Sequence, residues 1–284
     1  MATSGSYDAS RAHRGFDSEV ERLRAQALLS WEKEARTLAW FGLQDGMSVL
    51  ELGSGPGFVT EQLLALLPRS HVTAVEIDPV LIQKAHLHLQ GKAGDRLRFV
   101  EASIMDTGLP ANSFDFAIAR LIFQHLPDPV GAAGEVLRVL KPGGKLAIVD
   151  SDDAIWGLAD PAVPEVGRIL EAYGQAQAAR GGNRLVGRQL WRILQAAGFT
   201  PLDLEAIAIH SDALGIEAFL PQFDPDRFLP LVRAGLVSEQ EIQQIRASRE
   251  AFLAADRPTI LMVMLMACGE KPQPPSSDST GMMS

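Results

Sequence analysis

The stretch at residues 48–63, SVLELGSGPGFVTEQL, decides the fold of this chain. An apolar run at its start ends in three glycines at alternate positions, Gly53, Gly55 and Gly57, and a helical pattern begins at about Phe58. The pattern predicts a buried strand, a glycine loop and a helix. Because glycine has no side chain, a polar ligand can approach the backbone of such a loop at the N-terminus of the helix.

The flanking sequence repeats this alternation. It predicts strands at residues 47–52, 71–78, 97–102, 114–120 and 145–150, with helices between them, and a single N-terminal helix from Ser18 to about Phe41. Nearly continuous apolar strands that alternate with helices are typical of a parallel sheet covered on both faces. Ligands of such sheets bind at the carboxyl ends of the strands, which is where the glycine loop falls.

The alternation changes after residue 150. The sequence predicts a mostly loop and helical segment at 151–186, a strand at 201–209, a helical segment at 213–256 and a final strand at 258–269. We therefore expect a mobile arm at 1–17, one domain at 18–270 and a disordered tail at 271–284. Within the domain, residues 18–42 form an N-terminal helical cap, and 151–186 and 213–256 form lids.

Composition excludes several classes of protein. The net charge of −9, without a block of like charges, argues against nucleic-acid binding. The single cysteine excludes a disulfide framework and a cysteine zinc site. The chain has no apolar run of about 18 residues and no signal-peptide core at its start, so we expect a cytoplasmic protein without a membrane span.

The glycine loop also restricts the ligand. No Gly-Lys-Ser/Thr sequence follows, which argues against a phosphate-binding P-loop, and Phe58 stands where a dinucleotide fold would have its third glycine. Glu76 ends the second predicted strand, where a carboxylate can accept hydrogen bonds from both ribose hydroxyls. The residues favour a nucleoside ligand with a free ribose diol and little or no phosphate.

Four segments in order resemble the class I S-adenosylmethionine-dependent methyltransferases: ELGSGPG, AVEID, LPANSFDFAIARLIFQHLPDP and LKPGGKLAIVD. The resemblance covers about residues 20–199. It implies a Rossmann-like α/β fold with a seven-stranded, mostly parallel sheet whose last strand runs antiparallel. It also implies S-adenosyl-L-methionine as cofactor and S-adenosyl-L-homocysteine as product.

The resemblance further implies a set of cofactor-binding residues. The glycine loop would line the methionine part, Glu51 would steady the loop or bind the amino group, and Glu76 would bind the ribose. Ile77 would pack on adenine, while Ser103 stands where many members have an aspartate for the adenine amino group. The full set is Glu51, Gly53, Ser54, Gly55, Gly57, Glu76, Ile77, Ser103, Ile104 and Arg120.

Methyl transfer from a sulfonium needs alignment and the exclusion of water, and it needs a base only when the acceptor is protonated. His125, just beyond the fourth predicted strand, is the candidate general base, with a structural role in its turn as the alternative. The carboxylates at 150–153 lack the further ligands of a metal site, so we expect no metal. Predicted substrate-pocket residues are Trp31, Phe123, Asp152, Trp156 and Phe223.

The sequence thus predicts methyl transfer to a small, largely apolar organic acceptor, with O-methylation as the first expectation and C- or N-methylation left open. The alternative is a protein that binds S-adenosylmethionine and catalyses a non-methylating reaction or acts as a sensor. A nicotinamide oxidoreductase is disfavoured by Phe58. We expect a small-molecule partner and no nucleic acid, and the sequence leaves monomer and homodimer open.

Overall fold

The computed structural model describes residue 6 and residues 15–155 and 157–274. Most of the predicted arm and tail, and Trp156, lie outside these residues. The described part contains one sheet of eight strands in the order β3-β2-β1-β4-β5-β8-β6, with β7 paired along β8. The strands are β1 Ser48–Leu52, β2 His71–Glu76, β3 Leu97–Glu101, β4 Phe114–Arg120, β5 Leu140–Asp150, β6 Gly157–Asp160, β7 Leu202–His210 and β8 Thr259–Glu270.

The sheet has the predicted Rossmann-like α/β architecture. Strands β1 to β5 pair in parallel, whereas β8 runs antiparallel to β5, β6 and β7. The seven predicted strands correspond to β1 to β5, β7 and β8, and the prediction that the last of them runs antiparallel is confirmed. The structure adds β6, which continues the direction of β5 along the first residues of β8.

Helices surround the sheet, and none in the described part of the chain has the length and apolar content needed to cross a membrane. They are α1 Phe16–Leu29, α2 Trp31–Trp40, α3 Phe58–Leu66, α4 Pro79–Leu89, α5 Pro129–Val139, α6 Glu165–Ala178, α7 Leu190–Ala196, α8 Ser211–Leu214, α9 Leu229–Arg233 and α10 Glu239–Ala254. Short 3₁₀ turns connect several of them, including Phe123–His125, Leu220–Gln222 and Pro225–Phe228.

Two apolar layers cover the two faces of the sheet. Along β4, Phe116 and Ile118 belong to the layer that includes residues of α2 and α3, whereas Ala117 and Ala119 belong to the layer that includes α5 and α7. This alternation follows from the two-residue period of a strand. Burial on both faces explains why the strands read as continuous apolar runs.

The N-terminal helix is interrupted, contrary to the single predicted helix. Ser30 has φ −118° and ψ 1° and separates α1 from α2. Its hydroxyl donates to the Glu34 carboxylate, and its carbonyl accepts from the Glu34 N–H at 3.0 Å. Glu34 is buried and bound to Arg120 at the end of β4, so a tertiary contact invisible in the helical pattern fixes the break.

The two predicted lid segments meet in one cap. Ile169 of α6 shares an apolar cluster with Leu231 of α9 and with Ile242 and Ile245 of α10. The segment at 151–186, predicted as a helix between loops, also contains β6. Because β6 pairs with β8, the cap is continuous with the sheet.

Candidate functional site

The three glycines of the loop all have positive φ, at +67°, +54° and +86° for Gly53, Gly55 and Gly57. A Cβ on Gly53 would lie 2.8 Å from Cδ1 of Ile122, and one on Gly57 would lie 3.1 Å from Cβ of Ala85. A Cβ on Gly55 would meet nothing within 4 Å. Gly53 and Gly57 therefore allow close packing, and Gly55 exposes bare backbone to the cavity above the loop.

Glu76, at the end of β2, supports this loop. Its Oε2 accepts a hydrogen bond from the Gly55 N–H at 2.8 Å, and its Oε1 accepts from the N–H groups of Ile77 and Asp78 at 2.8 and 3.0 Å. Burial raises the pKa of Glu76, and these backbone donors act in the opposite direction. Oε2 keeps acceptor capacity at the cavity edge, as a ribose diol requires.

Glu51 lies beneath the loop and is 3 % exposed. Its Oε2 accepts a hydrogen bond from Oγ1 of Thr60 at 2.6 Å. Burial raises the pKa of Glu51 to about 8, a tendency that Thr60 opposes and the charge of Glu76 reinforces. Glu51 is therefore mostly protonated at neutral pH until a cation approaches it.

Arg120 lines the cavity but is bound to a buried partner. Its Nε and Nη2 donate to the two carboxylate oxygens of Glu34 at 2.8 and 2.9 Å, and Nη2 also reaches the Gln26 carbonyl and Oγ of Ser30. This fork ties α1 and α2 to the end of β4. Sequence reasoning missed Glu34, whose only signal is a carboxylate on the otherwise apolar face of a helix.

The predicted adenine contacts lie together at the far side of the loop. Ile77 is 44 % exposed and Ile104 is buried, and both line the cavity with Ser103. Oγ of Ser103 accepts a hydrogen bond from the Met105 N–H at 3.1 Å, which holds this turn in place.

His125 follows β4 and also lines the cavity. Its Nδ1 lies 2.9 Å from Oγ of Ser6, and its carbonyl accepts from the Ser6 N–H at 2.9 Å. Burial and the positive charges of Arg184, Arg180 and Arg22 lower the pKa of His125 to about 3. The imidazole is therefore neutral at physiological pH and a weak base.

The carboxylates at the end of β5 and just after it are all hydrogen-bonded. Asp150 is fully buried, accepts from the N–H groups of Gln124 and Ser151, and has its pKa raised to about 7 by burial. Asp152 pairs with Arg188 and Asp153 with Arg184. The described residues include no group of three or more side chains arranged to hold a metal ion.

One cavity of about 2250 Å³ joins the glycine loop to the cap. This volume is larger than the roughly 300–1,000 Å³ of typical small-ligand pockets, so it has room for a nucleoside cofactor and a second molecule. Of the predicted pocket residues, Phe223 lines it.

Three other predicted pocket residues lie elsewhere. Trp31, the first residue of α2, packs against the apolar layer that includes residues of α2 and α3. Phe123 is fully buried in the opposite layer, and Asp152 is held by Arg188. Gly57, predicted to line the cofactor, instead packs on α4. The three pocket residues were assigned from the segments expected to lie at the site, and Gly57 from the family motif, whereas side-chain direction decides which residues reach the cavity.

Sequence reasoning missed much of the apolar wall. Ile260, Met262 and Met264 line the cavity from β8, and Leu220 and Phe252 line it from the cap. The alternation of the first three along the strand was an available signal, but only the tertiary structure shows which face of β8 meets the cavity.

One polar atom of the loop is left without a partner. Oγ of Ser54 is buried and has no hydrogen-bond partner among the described residues. Beside it lie the bare Gly55 backbone and the Glu76 carboxylate. Because buried hydroxyls are rarely left unpaired, this arrangement fits a bound polar ligand such as the amino-acid part of S-adenosylmethionine.

Comparison with known proteins agrees with this geometry. Residues 50–148, from β1 to β5, match the family described as methyltransferase domain. The match identifies residues 50–148 as a methyltransferase domain. The family uses S-adenosylmethionine, and the resemblance inferred from the motifs is confirmed.

Two bacterial relatives align with most of the chain. The malonyl-[acyl-carrier protein] O-methyltransferase of Paenibacillus sp. (strain JDR-2) is 27 % identical over 71 % of this chain and 69 % of its own length. The trans-aconitate 2-methyltransferase of Methylobacterium radiotolerans is 28 % identical over 74 % of this chain and 80 % of its own.

A solved structure shows the same fold. The Haemonchus contortus phosphoethanolamine N-methyltransferase 2, in complex with phosphomonomethylethanolamine and S-adenosylhomocysteine, superimposes with a TM-score of 0.57 at 19 % identity. The match covers 86 % of this methyltransferase chain and 53 % of the nematode chain, so this chain spans about half the length of that neighbour.

Proposed function

We propose that this methyltransferase moves a methyl group from S-adenosylmethionine to a small, largely apolar organic acceptor, first of all at oxygen. The observation that carries the proposal is the single cavity that joins the glycine loop to an apolar cap wall. A shared cavity lets cofactor and acceptor meet without crossing solvent. The names of two comparison proteins, which refer to aconitate and phosphoethanolamine, agree with a small-molecule acceptor.

The residues around the loop suit the cofactor. We assign the ribose hydroxyls to Glu76, the adenine side to Ile77, Ser103 and Ile104, and the amino-acid part to Ser54 and the Gly55 backbone. S-adenosylmethionine supplies, when bound, a methyl group on a positively charged sulfur. The positive charge of the bound cofactor would favour the ionised form of Glu51, which lies beneath the loop.

The chain contributes to the reaction mainly by alignment and by excluding water. Residues of β8 and the cap form an apolar wall that leaves few polar groups to hold water beside the reacting atoms. The ion pair between Arg120 and Glu34 fixes helices α1 and α2 against the end of β4, so this side of the cavity keeps its shape. Alignment of this kind can supply a large part of a displacement reaction's rate.

We propose a positioning role for His125 rather than the predicted role of general base. A base is most effective when its pKa lies near the working pH, and the pKa of His125 is lowered to about 3. Its hydrogen bonds to the backbone and side chain of Ser6 hold that residue at the cavity. An acceptor that is already ionised at neutral pH would need no base.

The test is product formation with methyl-labelled S-adenosylmethionine and a panel of apolar phenols, carboxylic acids and amines. We expect a labelled product of at least one class with the wild-type protein and loss of product with Glu76→Ala. Binding of S-adenosylmethionine without any methylated product, over the whole panel, would contradict the proposal and favour a non-methylating role.

A further inference from the structure

One part of the cavity wall carries three arginines that converge from separate elements: Arg22 of α1, Arg184 before α7 and Arg227 in the 3₁₀ turn Pro225–Phe228. Two of them have carboxylate partners. Nη2 of Arg22 lies 2.6 Å from Oε1 of Glu19, and Nη2 of Arg184 lies 2.7 Å from Oδ1 of Asp153. These two charges are balanced within the protein.

Arg227 is different. Its Nη1 donates to the Gln222 carbonyl at 2.6 Å, but it forms no ion pair with any residue in the described ranges. The acidic residues beside it have other contacts, since Asp224 accepts from the Asp226 N–H and Asp226 binds Arg246. Burial, together with the charge of Arg22, lowers the pKa of Arg227 to about 10, which leaves it charged at neutral pH.

Gln222 adds a second donor at the same place. It is 3 % exposed, and its Oε1 accepts a hydrogen bond from Nη1 of Arg22 at 3.2 Å. Because the opposite amide orientation would place two donors against each other, Nε2 must face away from Arg22. Nε2 is buried and has no hydrogen-bond partner within the described part of the chain.

The cavity that these donors line also has apolar side chains. Leu220 and Phe223, on either side of Gln222 in sequence, line it, as do Phe252 and Met262. Among the described residues, Arg227 has no ion-pair partner and Nε2 of Gln222 has no acceptor, and both conditions are unfavourable for buried groups in the free protein. Functional sites are where such unfavourable groups are retained, because the ligand completes them.

We propose that Arg227 and Nε2 of Gln222 bind a carboxylate of the acceptor, so that the acceptor is an organic acid with an apolar body. A carboxylate has two oxygens, which match one guanidinium and one amide donor. A phosphate dianion has a third oxygen and a second charge, which one guanidinium and one amide donor would leave unmatched. The inference deepens the proposed function and rests on it, since it names the class of molecule that enters the shared cavity.

The test is calorimetric titration of the full chain, saturated with S-adenosylhomocysteine, with four probes of one chain length: octanoate, octanol, octylamine and octyl phosphate. We expect octanoate to bind at least about tenfold more tightly than the other three, as a charge-assisted pair predicts. Arg227→Met and Gln222→Leu should each weaken octanoate by about tenfold or more and leave octanol unchanged.

Two controls separate this proposal from its alternatives. Arg98→Met, which removes an exposed arginine of β3 outside the cavity, should change no affinity. Both cavity variants should keep their affinity for S-adenosylhomocysteine. A purely structural role for Arg227 would weaken the binding of octanol and of S-adenosylhomocysteine together with that of octanoate.

Several results would overturn the proposal. Equal binding of octanoate and octanol, no octanoate binding to protein that still binds S-adenosylhomocysteine, or unchanged octanoate affinity in both variants would each reject the carboxylate site. Preferred binding of octyl phosphate would reject the carboxylate site and show that the cavity binds a phosphate group instead. Failure of the wild-type protein to bind S-adenosylhomocysteine would instead reject the proposed function.

Discussion

The carboxyl edge of the parallel strands and the helical cap face each other across one cavity, but they hold it by different means. At the edge, backbone donors and a glycine loop are fixed by Glu76, and the geometry follows from local sequence. In the cap, side chains from α6, α9, α10 and β8 meet only after folding. We propose that the edge binds the cofactor, whereas the cap can change its lining without changing the fold.

The largest effect that would separate the two regions is expected from Glu76→Ala. Three backbone N–H groups would lose their acceptor and the ribose its partner, so we expect S-adenosylmethionine affinity to fall by about 100-fold. Titration calorimetry with S-adenosylmethionine measures this affinity. Glu101→Ala is the matched control, because Glu101 pairs with Glu76 in register on β3 but is exposed and outside the cavity. Equal affinities in both variants would show that the edge does not bind the cofactor through Glu76.

The second effect concerns pH and Glu51. Its folded-state pKa of about 8 lies above the ordinary value of 4.5, so between these values the folded protein binds a proton that the unfolded chain lacks. Stability from this group is therefore complete below about pH 4.5 and is lost as pH rises through 8. We expect this effect of Glu51 to lower the free energy of unfolding by about 2 kcal/mol between pH 6 and pH 8.

Urea unfolding at these two pH values checks this contribution. Glu51→Gln, which stays neutral, should lose about that much less stability over the same interval than the wild-type protein. An equal decline in both proteins would mean that Glu51 is already ionised at pH 6.

The third effect compares two glycines of the edge. Gly53→Ala should lower the free energy of unfolding by about 1–3 kcal/mol, since its φ is positive and its Cβ would meet Ile122. Gly55→Ala has a similar φ cost but open space, so its larger effect should be on cofactor affinity. Denaturation and titration of both variants would test this division, and equal stability losses would remove the packing argument for Gly53.

The smallest effect is expected at His125, where edge and cap meet. A general base typically contributes about 10²–10⁴-fold to a rate, whereas a positioning residue replaced by a hydrogen-bonding analogue changes it little. We expect His125→Gln to keep kcat within about threefold and to leave the pH profile between pH 5 and 8 unchanged. A fall of about 100-fold, with loss of an inflection in that interval, would restore the role of base.

The positions of strands β1 to β5 and of the glycine loop could be predicted because each depends on residues close together in sequence. Val49 to Gly57 form strand and loop from their own periodicity and from glycine's access to positive φ. The helix break at Ser30 could not be predicted, because its stabilising contact is with Arg120, far along the chain. Trp31, Phe123 and Asp152 were assigned to the pocket from the segments in which they lie, and the place of a segment does not fix side-chain direction.

The sequence by itself determined the α/β class and the glycine loop, because periodicity and glycine spacing are local properties of the chain. The cofactor and the antiparallel last strand followed from the resemblance of its motifs to a known family. Only the tertiary structure decided that β6 extends the sheet, that the two lid segments form one cap, and that Arg227 and Gln222 come together in the cavity wall. Those features depend on contacts between distant segments and on the direction of individual side chains, which hydrophobic pattern does not encode.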